Sequence, residues 1–209
     1  MSGISTRAVL AGIAAAGGIL AIFAGSPYAT KHASVDVDRL AAAVANEEDH
    51  VTALELAQWI RERRSGLRII DLRSSAEFDQ YHLPRAERIP IERLPSAPFR
   101  QGETIVLISE GGGHAAQGWV LLEALGNRQV FFLRGGLQEW IDDVLNPTLA
   151  VGATPQDAAA FARVSALSRY FGGVPRVTGS HTTKFDDSHT PRYTQPDAEQ
   201  AREVRRRGC

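Results

Sequence analysis

Ile105-Val-Leu-Ile-Ser109-Glu-Gly-Gly-Gly-His114 joins a β-branched apolar run to a glycine-rich loop, and the loop opens a helical pattern. Two further runs, Leu67–Leu72 and Val130–Leu133, have the same short, doubly apolar character. Strands that are apolar on both faces suit a parallel sheet covered by helices on two sides. Helical segments alternate with these runs, so the expected fold class is α/β, a three-layer parallel sheet. The helix that starts near His114 carries Trp119, Leu122 and Leu125 at core spacing, and Gly126 is placed to close it.

The flanks give start and stop signals. Thr52-Ala-Leu-Glu55 is a capping box, in which the threonine hydroxyl accepts from the Glu55 amide and the Glu55 carboxylate reaches back. Leu54, Leu56, Ala57 and Ile60 form the apolar side of the helix that follows, and Ser65-Gly66 ends it. Thr154-Pro155-Gln-Asp157 starts another helix, with threonine before the first turn and proline in it. Its stripe Phe161, Val164, Leu167 and Phe171 is expected to dock on the chain's own domain, with a partner surface as the alternative. Gly172-Gly173 stops that helix. Residues 174–209 have few large apolar residues and are expected to form a coreless tail.

Ile69-Ile-Asp-Leu-Arg73, Glu77-Phe78, His82-Leu-Pro84 and Ile89-Pro90 precede the glycine loop, and Leu133-Arg-Gly-Gly-Leu-Gln-Glu-Trp140 follows it. In this order and spacing the segments resemble the signature of rhodanese-like domains over roughly residues 49–147, less than half of the chain. The resemblance implies sulfur transfer: a cysteine thiolate at the start of the loop takes the sulfane sulfur of a donor, backbone N–H groups cradle the charge, and an arginine at the loop's end assists. Here Ser109 stands at the cysteine position and His114 at the arginine position. Serine cannot form a persulfide, and its hydroxyl is a poor nucleophile without a positioned base. Glu110 adds negative charge beside the cradle. No catalytic residue is therefore assigned. Ser109, Glu110, Gly111, Gly112, Gly113 and His114 remain a candidate anion-binding loop, against the plainer reading of a structural turn. A Ser109–His114 nucleophile–base pair lacks a visible third group to orient it. Sulfur transfer through Cys209 requires the tail to fold back. Asp71 and Arg73 are expected to orient the backbone, and His82 to be a hydrogen-bonded loop residue.

Ala8 to Gly25 contains 18 residues without a charge, preceded by Arg7. At ~1.5 Å per residue a helix of this length reaches roughly 27 Å, enough for a hydrocarbon core. The chain is thus expected to divide into a transmembrane anchor or signal (1–25), a tether (26–48) with a short helix between Val35 and Ala45, the α/β domain (49–147), a helical extension (148–173) and the tail (174–209). Ala24-Gly-Ser26 resembles a signal-cleavage site, but Pro27 disfavours cutting there. A buried helix is the remaining alternative. Arg7 before the segment and Asp36, Asp38, Glu47, Glu48 and Asp49 after it place the domain outside a bacterial-type inner membrane, on the periplasmic side, although Lys31 weakens the asymmetry. Cleavage would release the domain there instead.

The net charge of −1 offers no basic field for nucleic acid. One cysteine, Cys209, excludes an internal disulfide and any CxxC pair. His181, Asp186, Asp187 and His189 lack compact ligand spacing, so no metal or other cofactor is expected. Arg205–Arg207 is a weak signal for acidic lipid or a partner. The function that follows is a membrane-anchored, catalytically inactive rhodanese-like domain used for binding or assembly with an unnamed protein. The alternative is a sulfurtransferase or anion-handling enzyme with an unconventional nucleophile.

Overall fold

The computed structural model describes residues 35–127, 129–179 and 182–183, with positions 10 and 15. The expected membrane segment (apart from those two positions), the metal-capable residues His181, Asp186, Asp187 and His189, and the Arg205–Cys209 end lie outside the described residues. Among the described residues no helix is long and apolar enough to cross a membrane. The chain divides into two units, Met1–Ala33 and Ser34–Cys209, and the sheet and its helices belong to the second.

Five parallel strands form the main sheet: β1 (His50–Val51), β2 (Leu67–Asp71), β3 (Ala86–Arg88), β4 (Thr104–Ile108) and β5 (Val130–Leu133), in the order β1-β5-β4-β2-β3. The centre belongs to β4, whose five residues are all buried. Its side chains alternate between two cores. Val106 and Ile108 join Ile69, Phe131, Leu133 and Trp140 on one face. Ile105 and Leu107 join Ile70, Trp119, Leu122 and Val130 on the other. That alternation is the physical content of the doubly apolar run: a strand with no polar side needs a cover on each face. Each fully buried large side chain, Trp140 and Leu107 among them at 0 % exposure, contributes about 1.5–3 kcal/mol relative to leaving it in water.

The helices follow the start signals. Among the described residues α1 spans Val37–Ala45, and α2 spans Ala53–Arg61 behind the Thr52–Glu55 capping box, in which both reciprocal bonds form. A second box, Ser74 with Glu77, opens α3 (Ser75–Gln80), an element that the sequence reading passes over. The glycine loop leads into α4 (Gly113–Ala124). After β5 comes the short α5 (Gly136–Glu139), which continues as a π-helical turn over Trp140–Leu145. The predicted extension helix is α6 (Pro155–Tyr170). Its stripe docks on the domain: Leu167 lies in the core cluster beside Trp140, and the Phe171 ring meets the Trp140 ring edge-on at 5.2 Å.

The tether helix rests on the domain: the partly buried Leu40 and Ala43 lie against the second core, and Arg39 reaches the buried carboxylate of Glu123. One boundary changes. The tail does not begin at residue 174. Instead β7 (Arg176–Thr178) pairs in parallel with β6 (Thr148–Ala150), and the hydroxyls of Thr183 and Thr182 accept from the amides of Thr148 (3.0 Å) and Ala150 (2.9 Å). Backbone pairing needs no apolar side chains, so a segment as polar as this one leaves no hydrophobic pattern to read.

A candidate anion-binding loop beside an apolar groove

Parallel strands deliver their following loops to one edge of the sheet, where α/β folds form their crevices. Here Asp71–Arg73 follows β2, Ser109–His114 follows β4, and Arg134–Gly136 follows β5. The candidate residues therefore meet at a common edge, as the motif order implies.

Ser109 is 3 % exposed, and its side chain is engaged. The hydroxyl accepts from the Ala115 amide at 3.2 Å, satisfying a donor in the first turn of α4. Its carbonyl accepts from Leu137 N at 2.9 Å, and the Glu110 carbonyl accepts from Gln138 N at 3.1 Å. These two amides open α5, so the loop caps one helix with a side chain and another with its backbone. Gly112 makes the turn with φ +85°, a left-handed conformation that disfavours a side chain. The seam is closed by Gly136: a Cβ there would lie 2.3 Å from Ser109 O and 2.5 Å from Gly112 N. Gly111 and Gly113, by contrast, face open space.

His114 is exposed on the first turn of α4, and no hydrogen bond joins it to Ser109. The two side chains thus make no nucleophile–base contact in this arrangement. Among the described residues the amides of residues 110–114 make no hydrogen bond within the chain, which leaves the expected N–H cradle open. The Arg73 guanidinium beside it is already paired. Arg73 donates through Nε and Nη2 to the fully buried Asp71 carboxylate, at 3.0 and 2.7 Å, and Nη2 also donates to the Tyr81 carbonyl at 2.6 Å. Hydrogen bonding to Asp71, offset in part by burial, raises the Arg73 pKa above the usual guanidinium value. Arg73 Nη1 lies 3.5 Å from Glu110, whose side chain is 62 % exposed. Asp71 and Arg73 therefore act as the sequence predicts, joining a strand end to its loop.

Sequence reasoning misses the groove next to them. A cavity of about 470 Å³ is lined by Leu137, Ile141 and Leu145, with Arg73, Glu77, Gln80, Tyr81 and Glu110 around it. The three apolar residues recur every fourth position, a spacing visible in the sequence but unremarkable without the π turn that aims it. Tyr81 links the walls, since its hydroxyl accepts from the Trp140 indole N–H at 3.0 Å. Burial raises the Tyr81 pKa. His82 is the expected loop residue: Nδ1 lies 2.9 Å from the Phe78 carbonyl, and the two rings stack at 4.1 Å.

The π turn also holds Asp143, whose pKa is raised to about 7, first by burial and then by Glu139 and Asp142, with Arg134 opposing. A raised carboxyl pKa favours the folded state below the unfolded value near 4, and that advantage is lost as pH rises through 7. Asp143→Asn is expected to flatten the fall in stability between pH 4 and 7.5 by about 1–2 kcal/mol, after discounting for partial exposure and solvent screening. Urea unfolding of both chains across that range checks it, and an unchanged slope refutes it.

The Rhodanese-like domain model matches residues 52–143. No curated protein matches the chain. Among solved structures, the chain is similar to a rhodanese-like domain protein from Staphylococcus aureus, at 27 % identity over 46 % of this chain and 93 % of that one, with a TM-score of 0.41. The rhodanese-like domain of an Anabaena protein is 26 % identical over 44 % of this chain and 73 % of that one, with a TM-score of 0.41. A rhodanese-related protein from Thermoplasma volcanium is 22 % identical over 44 % and 90 %, with a TM-score of 0.40. With strands, loop and closing Gly-Gly segment in the order of the signature, residues 52–143 are a rhodanese-like domain.

Proposed function

We propose that this chain is a membrane-anchored rhodanese-like domain that has lost sulfur transfer and works by binding or assembly. The observation that carries the reading is the state of Ser109: where the family signature places a nucleophile, a 3 % exposed hydroxyl accepts from a helix amide. An oxygen at that place gives no soft thiolate to attack a sulfane sulfur. The uncharged run from Ala8 to Gly25 supports the anchor, and Arg7 before it with acidic residues after it supports a domain on the periplasmic side of a bacterial-type inner membrane. A cleaved signal is the alternative route to the same compartment.

Thiosulfate:cyanide turnover by the full chain is the direct test, and none is expected. Substantial turnover by the Cys209→Ser chain would overturn the proposal; activity that disappears only with Cys209 would point to the tail thiol. Adding Ser109→Cys to the Cys209→Ser chain places a thiolate at the helix end, whose field lowers its pKa. That thiolate is expected to attack the outer sulfur of thiosulfate, breaking the S–S bond and releasing sulfite. Mass spectrometry then shows a gain of about 32 Da, one sulfur atom, on the thiolate. Turnover is expected to stay low, because Glu110 and His114 supply no fixed positive charge for the donor. Carbonate extraction of membranes from cells making the full chain tests the anchor, and recovery of a shortened soluble chain would favour cleavage.

A further inference from the structure

The groove beside the loop combines an apolar floor with an acidic mouth. Leu137, Ile141 and Leu145 form the floor, and Glu77 and Glu110 stand with Gln80 around it. Both carboxylates are exposed. Glu77 is held ionised, its pKa lowered by the Ser74 hydroxyl and amide that bond to Oε2. Among the described residues that line it the cation is Arg73, and it is already engaged: Asp71 takes Nε and Nη2, and the Tyr81 carbonyl takes Nη2 as well. With Asp71 neutralising Arg73, the two glutamates leave the mouth with net negative charge. An anion arriving there meets repulsion before it reaches the loop amides. A cation on an apolar stem meets carboxylates and a floor that its methylenes can cover.

We infer that this groove docks a polypeptide segment presenting leucine-like side chains next to arginine or lysine. The inference rests on the proposed binding role and names the chemistry of the partner. A cavity of about 470 Å³ lies within the ~300–1,000 Å³ range of binding clefts and has room for a few side chains. Apolar contact supplies affinity, and the carboxylates supply selection, since like charge opposite them is rejected. Glu110 is the main selector. Its ion pair with Arg73 is long at 3.5 Å, and the side chain is largely in solvent, so turning toward a ligand costs little.

Fluorescence anisotropy with the full chain in neutral detergent tests this, using a labelled synthetic peptide of alternating leucine and arginine and a second peptide with glutamate in place of arginine. The arginine peptide is expected to bind at least tenfold tighter than the glutamate peptide. Glu110→Gln with Glu77→Gln, which keeps a side chain able to close the capping box, is expected to erase most of that preference while circular dichroism stays unchanged. Equal binding of the two peptides, tighter binding of the glutamate peptide, or binding by neither overturns the inference. So does a preference that survives the double substitution. Thiosulfate turnover measured on the same samples separates the two levels: turnover would remove the silent-domain reading, whereas absent turnover with absent charge preference removes only the docked peptide.

Discussion

Gly136→Ala is expected to cost on the order of 3–5 kcal/mol, which would consume a third or more of the stability of a typical domain. Two effects act together. Gly136 has φ +61°, a conformation that carries a penalty of order 1 kcal/mol or more for alanine. The added Cβ would lie 2.3 Å from Ser109 O, 2.5 Å from Gly112 N and 2.6 Å from Glu110 O. All three are backbone atoms, so no rotamer change relieves the overlap and the loop must move off the α5 terminus. The bonds from Leu137 N and Gln138 N to the Ser109 and Glu110 carbonyls would go with it. Gly113→Ala is the internal control: nothing lies within 4 Å of its Cβ and its φ is not positive. It begins α4, where alanine costs nothing and gains up to about 1 kcal/mol. Urea unfolding at constant m-value gives both numbers. A Gly136→Ala chain within 1 kcal/mol of its parent would show that the seam does not matter. Faster hydrogen exchange at Leu137 and Gln138 is the local signature expected if the loop has lifted.

Much of this architecture is legible in the sequence because its signals are local and redundant. The run from Ile105 to Ile108 can only be covered on both faces, and the capping box at Thr52 and the Thr154-Pro155 start fix helix starts to the residue. The loop at Ser109–His114 is where its motif places it, between the same strand and helix. Other features stay hidden for physical reasons. The strands His50–Val51 and Ala86–Arg88 are too short to show a period of two, and only their neighbours define them. The pairing of Arg176–Thr178 with Thr148–Ala150 is a backbone event between distant residues. The groove depends on a π turn that brings Leu137, Ile141 and Leu145 to one side, and side-chain identity alone does not announce that turn. The site's chemistry is split in the same way. Absence of cysteine at position 109 is visible in the sequence, but the burial of Ser109 and its use as a helix cap require the fold.

Arg73→Leu is expected to destabilise the domain by about 3–5 kcal/mol, because it leaves the Asp71 carboxylate buried without its counterion. Asp71 is 0 % exposed and Arg73 8 %, so water cannot step in freely. The Asp71 side chain would retain one partner, the backbone amide of residue 73, now 3.0 Å from Oδ1. The Tyr81 carbonyl would lose its 2.6 Å donor. The double substitution Asp71→Asn with Arg73→Leu separates charge from shape. If the cost of the single change is an uncompensated charge, the double chain recovers half or more of the loss, and the cycle gives a coupling of about 1.5–3 kcal/mol. If Arg73 instead matters as packing along the groove wall, the two losses add. Additivity within about 0.5 kcal/mol would therefore refute the ion-pair account. The outcome bears on function as well. An arginine whose energy is exhausted in holding Asp71 and Tyr81 is a positioning residue, and it has little left to offer an anion. A freely available Arg73 would return the loop to anion recognition.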